Sequence, residues 1–411
     1  MIRPILSYTS LLVLFATATA IAADKPFPEF KTHDVNPEAG TGLAITVADI
    51  EGDGDLDIVG VSSDDVAWYE NPTWERYLIA DTVKNGNVCI AGEDLDGDGL
   101  PEFALGADWQ FNNTDSGGSL HLLHRNQDPK KLWTVVDLTT EPTLHRVRWA
   151  DMDGDGKNEL IVAPLKGRGS KPPYFQQTGV RLLRMKPPRD PFTTTWPIEV
   201  IDDSLHIAHN LWPVDWDEDG RDSLLVASIE GITNIEFSDE GGTSKKNLSG
   251  GNPVPWPRSG AGEIKVGNWD GTTPLMASVE PWHATQAVVY TPEKSDNGTI
   301  DSWKRFVIDD TLAGGHAVWF ADFDSDGHDE LLVGFRDKAP PKDLPGLNIY
   351  DLEYNPAGDP PLTWKKHVLD DGGMATEDAL AADMNGDGLP DVVAYGRATH
   401  NIRYYENLGA R

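Results

Sequence analysis

Two kinds of residue in this chain have types and spacings that could do chemistry. The first is a turn with oxygen-bearing side chains at positions 1, 3, 5 and 9 and glycines between, as in "DMDGDGKNE" from Asp151. Carboxylates at alternate positions, with glycine where the chain must bend, suit a hard cation such as Ca2+ or Mg2+. The set is full at Asp94/Asp96/Asp98/Glu102, Asp151/Asp153/Asp155/Glu159, Asp322/Asp324/Asp326/Glu330 and Asp383/Asn385/Asp387/Asp391, and nearly so at Asp49/Glu51/Asp53/Asp57. A further turn, Asp215/Asp217/Asp219, has Ser223 in the ninth place, and "NWDGTTP" from Asn268 has lost the pattern, so four or five structural cations are expected. The second kind is histidine. His145, His209 and His316 each stand six residues before the first residue of a turn, as Glu377 does before Asp383, while His283 and His400 lie in later loops. Imidazoles with a carboxylate suit zinc or another borderline metal, and a neutral imidazole is a general base near neutral pH.

The elements that must position these residues are short strands. The acidic turn recurs seven times at roughly 45 to 65 residues, a spacing that suits propeller blades with variable loops better than a solenoid. Each unit has a strand before the turn ("RVRWAD"), a β-rich strand after it ("ELIVAPL"), a third ("GVRLLRM") and a fourth with a Trp and an aliphatic pair ("WPIEVIDD"). The last unit stops after its third strand at "IRYYEN", and the N-terminal "FPEFKTHDVN" has the pattern of the missing fourth. The sequence therefore predicts an all-β fold, a single seven-bladed β-propeller of four-stranded blades whose ring is closed by the N-terminal strand, leaving no open sheet edge.

In such a ring the acidic turns lie on one face. The residues that enter the inner strands lie on the other, beside the central channel. Counting six back from each turn gives Leu43, Val88, His145, His209, Gly262 (with Glu263 next), His316 and Glu377. His283, His400, Lys166, Arg168, Arg336 and Arg397 fall on the same side, so the expectation is a cluster of histidines assembled from distant parts of the chain. Trp109, Trp212, Trp282 and Trp319 lie near that face and could stack on sugar rings.

The chain begins with Arg3, an apolar run and Ala20-Ile21-Ala22, which reads as a secretory signal over residues 1–22, followed by the propeller over 23–411 and a periplasmic or secreted location. The apolar run is shorter than the ~20 residues of a membrane span, and no later run is longer. With one cysteine, Cys89, no intramolecular disulfide can form. A net charge of −33 makes nucleic acid a poor partner. There is no nucleophilic Ser or Cys motif and no phosphate-binding glycine loop.

The acidic turns resemble the FG-GAP or VCBS repeats of integrin-like propellers, which implies the fold and cation binding and little about activity. The wording of "LHIAHNLWPVDWDEDGRDSLLVASIEG", "ASVEPWHATQAVVYTP", "GGHAVWFADFDSDGHDELLVGFR" and "ALAADMNGDGLPDVVAYGRATHNIRYYEN" resembles more closely the propeller domain of the aldos-2-ulose dehydratase family. That resemblance implies dehydration of 1,5-anhydrofructose or a related keto sugar, with a zinc site in the propeller besides structural cations. The family's fungal members continue into cupin and lectin-like domains, so only the elimination of water carries over. On this reading His209, His283 and His316 hold zinc, with Glu263 or Glu377 as fourth ligand or support, and His145 is the base. Two alternatives stand beside it. One is a polysaccharide lyase acting on uronic-acid polymers, for which Arg168, Tyr174 and Arg397 would matter more than a metal; the other is a non-catalytic carbohydrate- or protein-binding propeller.

Overall fold

The computed structural model describes residues 26–410, apart from 82, 84, 85, 217, 239–241, 297 and 339–343. The expected signal segment and Asp217 lie outside the described residues. The described chain forms seven four-stranded antiparallel sheets, and in six of them the strands follow chain order. The seventh places Phe30–Asn36 beside Ile402–Asn407, so the first strand of the chain is the outer strand of the last blade. The expected seven-bladed propeller and its closure are both present.

The inner strands of blades one to seven are Gly42–Ala48, Cys89–Glu93, Leu144–Ala150, Asn210–Val214, Lys265–Trp269, Gly315–Ala321 and Thr376–Ala382. Each contacts the inner strand of the next blade, and the seventh contacts the first. The second strands are buried on both faces, as in Glu102–Ala107, Glu159–Pro164, Glu330–Phe335 and Asp391–Gly396, because each is sandwiched between neighbouring blades. Their apolar side chains fill the inter-blade cores, where Leu105, Leu160, Val162, Leu331 and Val393 are fully buried. The outer strands face water and alternate loosely, as in Thr134–Thr140 and Leu362–Asp371.

The turns lock the register. The ninth-position carboxylate turns back to accept the amide N–H of the second position: Asp57 from Ile50 at 3.1 Å, Glu102 from Leu95 at 3.0 Å, Glu330 from Phe323 at 2.7 Å and Asp391 from Met384 at 2.9 Å. The eighth position ties the turn to the end of the preceding blade's inner strand. Asn158 donates to Glu93 at 3.1 Å, Asp222 accepts from the amide of Asp151 at 2.9 Å, and Asp329 accepts from that of Asn268 at 2.7 Å.

Cys89 lies on the second inner strand, 1% exposed, and burial pushes its thiol up to about 11. It should therefore be inert to Ellman's reagent at pH 8 until the ring opens. A variant lacking residues 1–36 leaves the Ile402–Asn407 edge unpaired. We expect it to label at Cys89 under native conditions and to melt several degrees lower, as read by thiol release and calorimetry.

Candidate functional site

How the ring residues come to face the channel follows from local strand irregularity. In blades one, three, six and seven the pairing of the first two strands slips by one residue, between Gly42 and Ala44, Leu144 and Arg146, Gly315 and Ala317, and Thr376 and Asp378. The extra residues are Leu43, His145, His316 and Glu377. A bulge re-aims one side chain while the rest of the strand keeps its pairing, so each of these four leaves the ladder at the mouth of the channel. His209 enters from just before its strand, with its amide still bonded to Ala227 O at 3.0 Å.

Blade five reaches the channel differently. A Cβ at Gly262 would lie 2.8 Å from the Cα of Trp282, so only glycine allows the loop after the blade's second strand to cross so closely. That loop carries His283 with φ of 54°, in the left-handed region. The missing side chain of one ring position thus admits a histidine from another strand pair.

The result is a tight group of imidazoles. Nε2 of His209 and Nε2 of His283 are 2.9 Å apart, and the ring centres of His209–His316 and His283–His316 are 5.1 and 4.7 Å apart. One nitrogen from each of the three lies within 4.8 Å of the other two, so together they could hold a metal ion. His145 stacks against His209 at 4.7 Å and offers its Nδ1–H to the His209 carbonyl at 3.1 Å. His209 and His316 likewise donate from Nδ1 to the carbonyls of Gly262 at 2.7 Å and Glu377 at 2.5 Å. In each of these three rings that bond puts the proton on Nδ1 and makes Nε2 the acceptor, which in His209 faces Nε2 of His283 and in His145 faces Arg146 Nη1 at 3.5 Å. His283 is set the other way: its Nδ1 accepts from Arg336 at 3.1 Å, so its Nε2 carries the proton and donates to His209.

All four imidazoles are held below the ordinary histidine range, first by burial and then by the cations and imidazoles around them, Arg146 among them in every case. They are neutral imidazoles rather than imidazolium ions. Glu263 sits behind the group, Oε1 2.9 Å from Nδ1 of His209 and Oε2 bonded to Asn210, so it supports His209 rather than joining the three-imidazole focus. Glu377 is bridged by Arg336 and by Arg397, the latter at 2.6 Å, and lies 3.7 Å from Nε2 of His316.

His145, His283, His316, Arg336, Glu377 and Arg397 line a cavity of about 360 Å3 at the channel mouth, with Trp109, Phe111 and Trp282 as an aromatic wall. Trp109–Phe111 and Phe111–Trp282 centres are 5.9 and 6.1 Å apart, and both indole N–H groups lack an acceptor. Lys166 is committed to the wall: its ammonium lies 3.4 Å and 3.8 Å from the Phe111 and Phe175 rings and donates to Phe111 O at 2.6 Å. His209, Glu263, Lys166, Arg168, Tyr174 and His400, all expected at the site, do not line the cavity. Arg168 is bound to Glu141 at 2.9 Å, Tyr174 is 46% exposed, and His400 points to solvent from its loop. Of Trp212 and Trp319, expected near the same face, neither lines this cavity; both line the channel further down. Arg146, next to His145 and shared by both halves of the channel, was not singled out by the spacing argument.

The acidic turns occupy the opposite face, at the far end of the same inner strands. Carboxylates close enough to share a cation occur at Asp94/Asp96/Asp98, at Asp151/Asp153/Glu159, and at Asp322/Asp324/Asp326/Glu330, with His124 joining Asp96 and Glu102. Among the described residues three turns gather their acidic groups in this way. In the turns of blades one, four and seven, as in the three that converge, the first residue accepts amides of its own loop, as Asp94 does those of Gly97 at 2.7 Å and Gly99 at 2.9 Å. In blade one Asp49 accepts the amides of Gly52 at 2.7 Å and Gly54 at 3.0 Å, exposed Asp53 accepts that of Asp55 at 3.0 Å, and Asp57 is drawn inward to Ile50 and Asn71. Glu51 there is pushed up to about 7 by burial and by the neighbouring Asp57. In blade seven Asn385 and Asp387 are both exposed and bond to each other, the Asn385 amide donating to Asp387 at 3.1 Å. Asp387 also accepts the Leu389 amide at 2.9 Å, Asp383 those of Gly386 and Gly388, and Asp391 that of Asn407 at 2.7 Å. In blade four Asp215 and Asp219 are exposed and accept amides of the turn.

The three turns that do converge are not equivalent. In blade three Arg184 reaches Asp153 and, at 2.9 Å, Glu159, while Lys186 reaches Asp153 at 2.8 Å and draws Asp155 out of the group at 2.7 Å. In blade six no cationic side chain pairs with the four carboxylates among the described residues, and burial with the neighbouring Asp324 pushes Glu330 up to about 9.

The segment 117–293 matches the family model "Aldos-2-ulose dehydratase, beta-propeller domain". His145, His209, Glu263 and His283 lie inside that segment, whereas His316 and Glu377 lie beyond it. A curated relative, aldos-2-ulose dehydratase of Phanerodontia chrysosporium, is 26% identical over 281 residues, covering 64% of this chain and 29% of its own length. The chain thus spans under a third of that relative and carries a propeller resembling this family's. Among solved structures, BBS1N in complex with ARL6DN, soaked with mercury or with lead, matches with TM-scores of 0.51 and 0.54 at 11% identity, over 95% of this chain and 100% of that one. At that identity the likeness concerns the fold alone.

Glu377 is 3% exposed and neutralises two arginines. Its replacement by Ala leaves Arg336 unpaired in a buried setting, while Arg397 is partly screened by solvent. We expect Glu377→Ala to cost about 2–4 kcal/mol, measured by urea unfolding, and Glu377→Gln to cost less.

Proposed function

We propose that this chain is a carbon-oxygen lyase that removes water from a small keto sugar, 1,5-anhydrofructose or a close relative, with zinc held by His209, His283 and His316. The observation that carries the reading is the convergence of three neutral imidazoles, with a fourth beside them, in an aromatic-walled cavity sized for a small molecule. The resemblance to the aldos-2-ulose dehydratase propeller supplies the substrate class.

Two of the three imidazoles have the tautomer that zinc needs, since their Nδ1–H bonds to backbone carbonyls make Nε2 the lone-pair nitrogen; in His209 that nitrogen accepts from His283. For His283 to ligate through Nε2, the proton there must leave and Arg336 must give up Nδ1. When bound, zinc supplies a Lewis acid that draws electron density from the substrate carbonyl.

The chain's own residues do the rest. His145, with Nδ1–H committed to the His209 carbonyl, presents Nε2 as the base that takes the proton from the carbon next to the carbonyl. The C–H electron pair moves into an enolate, and as the carbonyl re-forms the neighbouring C–O bond breaks. Proton and hydroxide leave as water, and an enone remains. Arg336 and Arg397, fixed by Glu377, provide positive charge at the cavity wall for the departing oxygen. Trp109 and Trp282 offer an apolar face to the ring and free N–H donors to its hydroxyls.

A lyase for uronic-acid polymers has less support. Arg168 and Tyr174, which it would need, lie outside the cavity, and the space is a closed mouth rather than a groove. We further infer that the acidic turns bind Ca2+ or Mg2+, most strongly in blade six, where four carboxylates meet without a cationic side chain among the described residues. Export by the N-terminal segment, to the periplasm or the exterior, belongs to the same reading.

The first test is zinc content after dialysis, read beside ultraviolet absorbance during incubation with 1,5-anhydrofructose. We expect about one zinc per chain and a growing enone band; no zinc and no absorbance change would overturn the proposal. His145→Ala should lower turnover by a factor of about 10²–10⁴ while retaining zinc, and His209→Ala should lose both.

For the turns, calcium added to chelator-treated protein should raise the melting temperature by a few degrees, corresponding to about 1–3 kcal/mol at saturating metal. Glu330→Gln should remove much of that gain. Asp153→Asn should change it little, because Arg184 and Lys186 already neutralise the blade-three turn. Equal effects of the two substitutions in calorimetry would contradict this ranking.

A further inference from the structure

Below the histidines the channel continues as a second cavity of about 290 Å3, to which all seven inner strands contribute. Three cationic side chains line it: Arg146, Arg148 and Lys265, all at least nine-tenths buried apart from the more open Arg148. None forms an ion pair with a carboxylate among the described residues. Lys265, 5% exposed, has no hydrogen-bond acceptor; its ammonium rests 4.3 Å from the Trp212 ring and 5.5 Å from that of Trp319. Arg148 bonds the Val147 carbonyl at 2.8 Å and Asn210 at 3.2 Å, and its Nε is buried without a partner. Arg146 bonds only to its neighbour His145.

The two carboxylates in the same cavity are already committed. Glu263 is held between Asn210 and His209, and Asp378 accepts the backbone N–H groups of Ile45 and Ala379, both at 3.1 Å. In a chain of net charge −33, three inward cations that no carboxylate pairs with among the described residues are not a by-product of general basicity. Buried cations are paired or they complement a ligand, and unpaired guanidinium and ammonium groups converging on one space form short, charge-assisted bonds to anionic oxygens.

We propose that the lower channel is a binding site for a small oxyanion, with Arg148 and Lys265 as its main donors, Arg146 above them and Trp212 as its floor. The site shares His316 and Arg146 with the upper cavity but does not rest on the dehydratase reading. Its ligand class is a compact anion with two or more acceptor oxygens, either an inorganic phosphate or sulfate or the carboxylate of a small organic acid.

The test is isothermal titration of the full chain with phosphate, with sulfate and with acetate at constant ionic strength. We expect one saturable site per chain for at least one of them. Its affinity should fall at least about tenfold in Lys265→Met and in Arg148→Gln, and hold in Lys265→Arg and in Arg336→Gln, the last altering the upper cavity only. Response to phosphate and sulfate but not acetate would assign an inorganic ion, and the reverse an organic acid. Circular dichroism of each variant separates loss of binding from loss of fold, and a variant that does not fold is replaced by Lys265→Gln. Absence of saturable heat, binding unchanged in both charge-removing variants, or binding lost in Arg336→Gln would each overturn the proposal.

Discussion

The bond on which the rest of this molecule depends is the one from the ninth-position carboxylate of an acidic turn to the amide of its second position, as between Glu330 and Phe323. It closes a loop of like charges onto itself and sets where the first two strands of a blade begin to pair. Once that register is fixed at the turn, any surplus residue must appear at the other end of the inner strand. In blades one, three, six and seven the surplus is a bulge, and in three of those four the bulged residue is a site residue. Structural carboxylates on one face therefore position imidazoles on the other, through a strand whose seven residues, as in Leu144–Ala150, span roughly 20 Å.

Burial then decides what the imidazoles can be. An exposed histidine shuttles between charge states near neutral pH. Here desolvation acts first and Arg146 adds to it, so the four rings stay neutral. Packed this closely, four charged rings would repel one another; four neutral rings need only orient their lone pairs and protons. Backbone carbonyls do that for three of them. The fourth, His283, takes its orientation from Arg336, which is itself tied to Glu377. This carboxylate of blade seven thus also determines the proton on an imidazole two blades away in chain order.

Much of this was legible in the sequence because a propeller turns spacing into position. Seven acidic turns set seven axes, and six residues back from each lay the ring that holds His145, His209, His316 and Glu377. What spacing cannot give is the direction of a side chain in a loop between the second and third strands. His283 and His400 occupy such loops and both have positive φ, yet only His283 enters the cavity, because Gly262 leaves room for its loop to cross. Arg168 and Tyr174 lie on a loop of the expected side, but Glu141 holds the first away and the second stays in solvent. The turn motif has the same limit. It gives the oxygen-bearing residues of blade seven but not that the Asn385 amide donates to Asp387. Nor could it reveal that Arg184 and Lys186, on or beside the third strand of blade three, reach into that blade's own carboxylates; that contact depends on cross-strand geometry.

This last difference bears on how a repeat can diverge without losing its fold. A buried cluster of carboxylates is tolerable only if something positive lies among them, and the chain supplies that in two ways. In blade three a guanidinium and an ammonium are built in: burial alone would raise Asp153, but Lys186 and Arg184 outweigh it and hold it below its ordinary range. In blade six nothing is built in, and Glu330 is driven up to about 9. Desolvation and repulsion in that turn are opposed only by a proton or a cation from outside. A turn with its own cations keeps the blade together in any medium, whereas one without them makes the blade answer to the composition of its surroundings. The same choice recurs in the channel, where Glu377 is neutralised by arginines from the chain while Arg148 and Lys265 are left for something the chain does not contain. Charge that a protein buries and leaves uncompensated is where its chemistry meets what it binds.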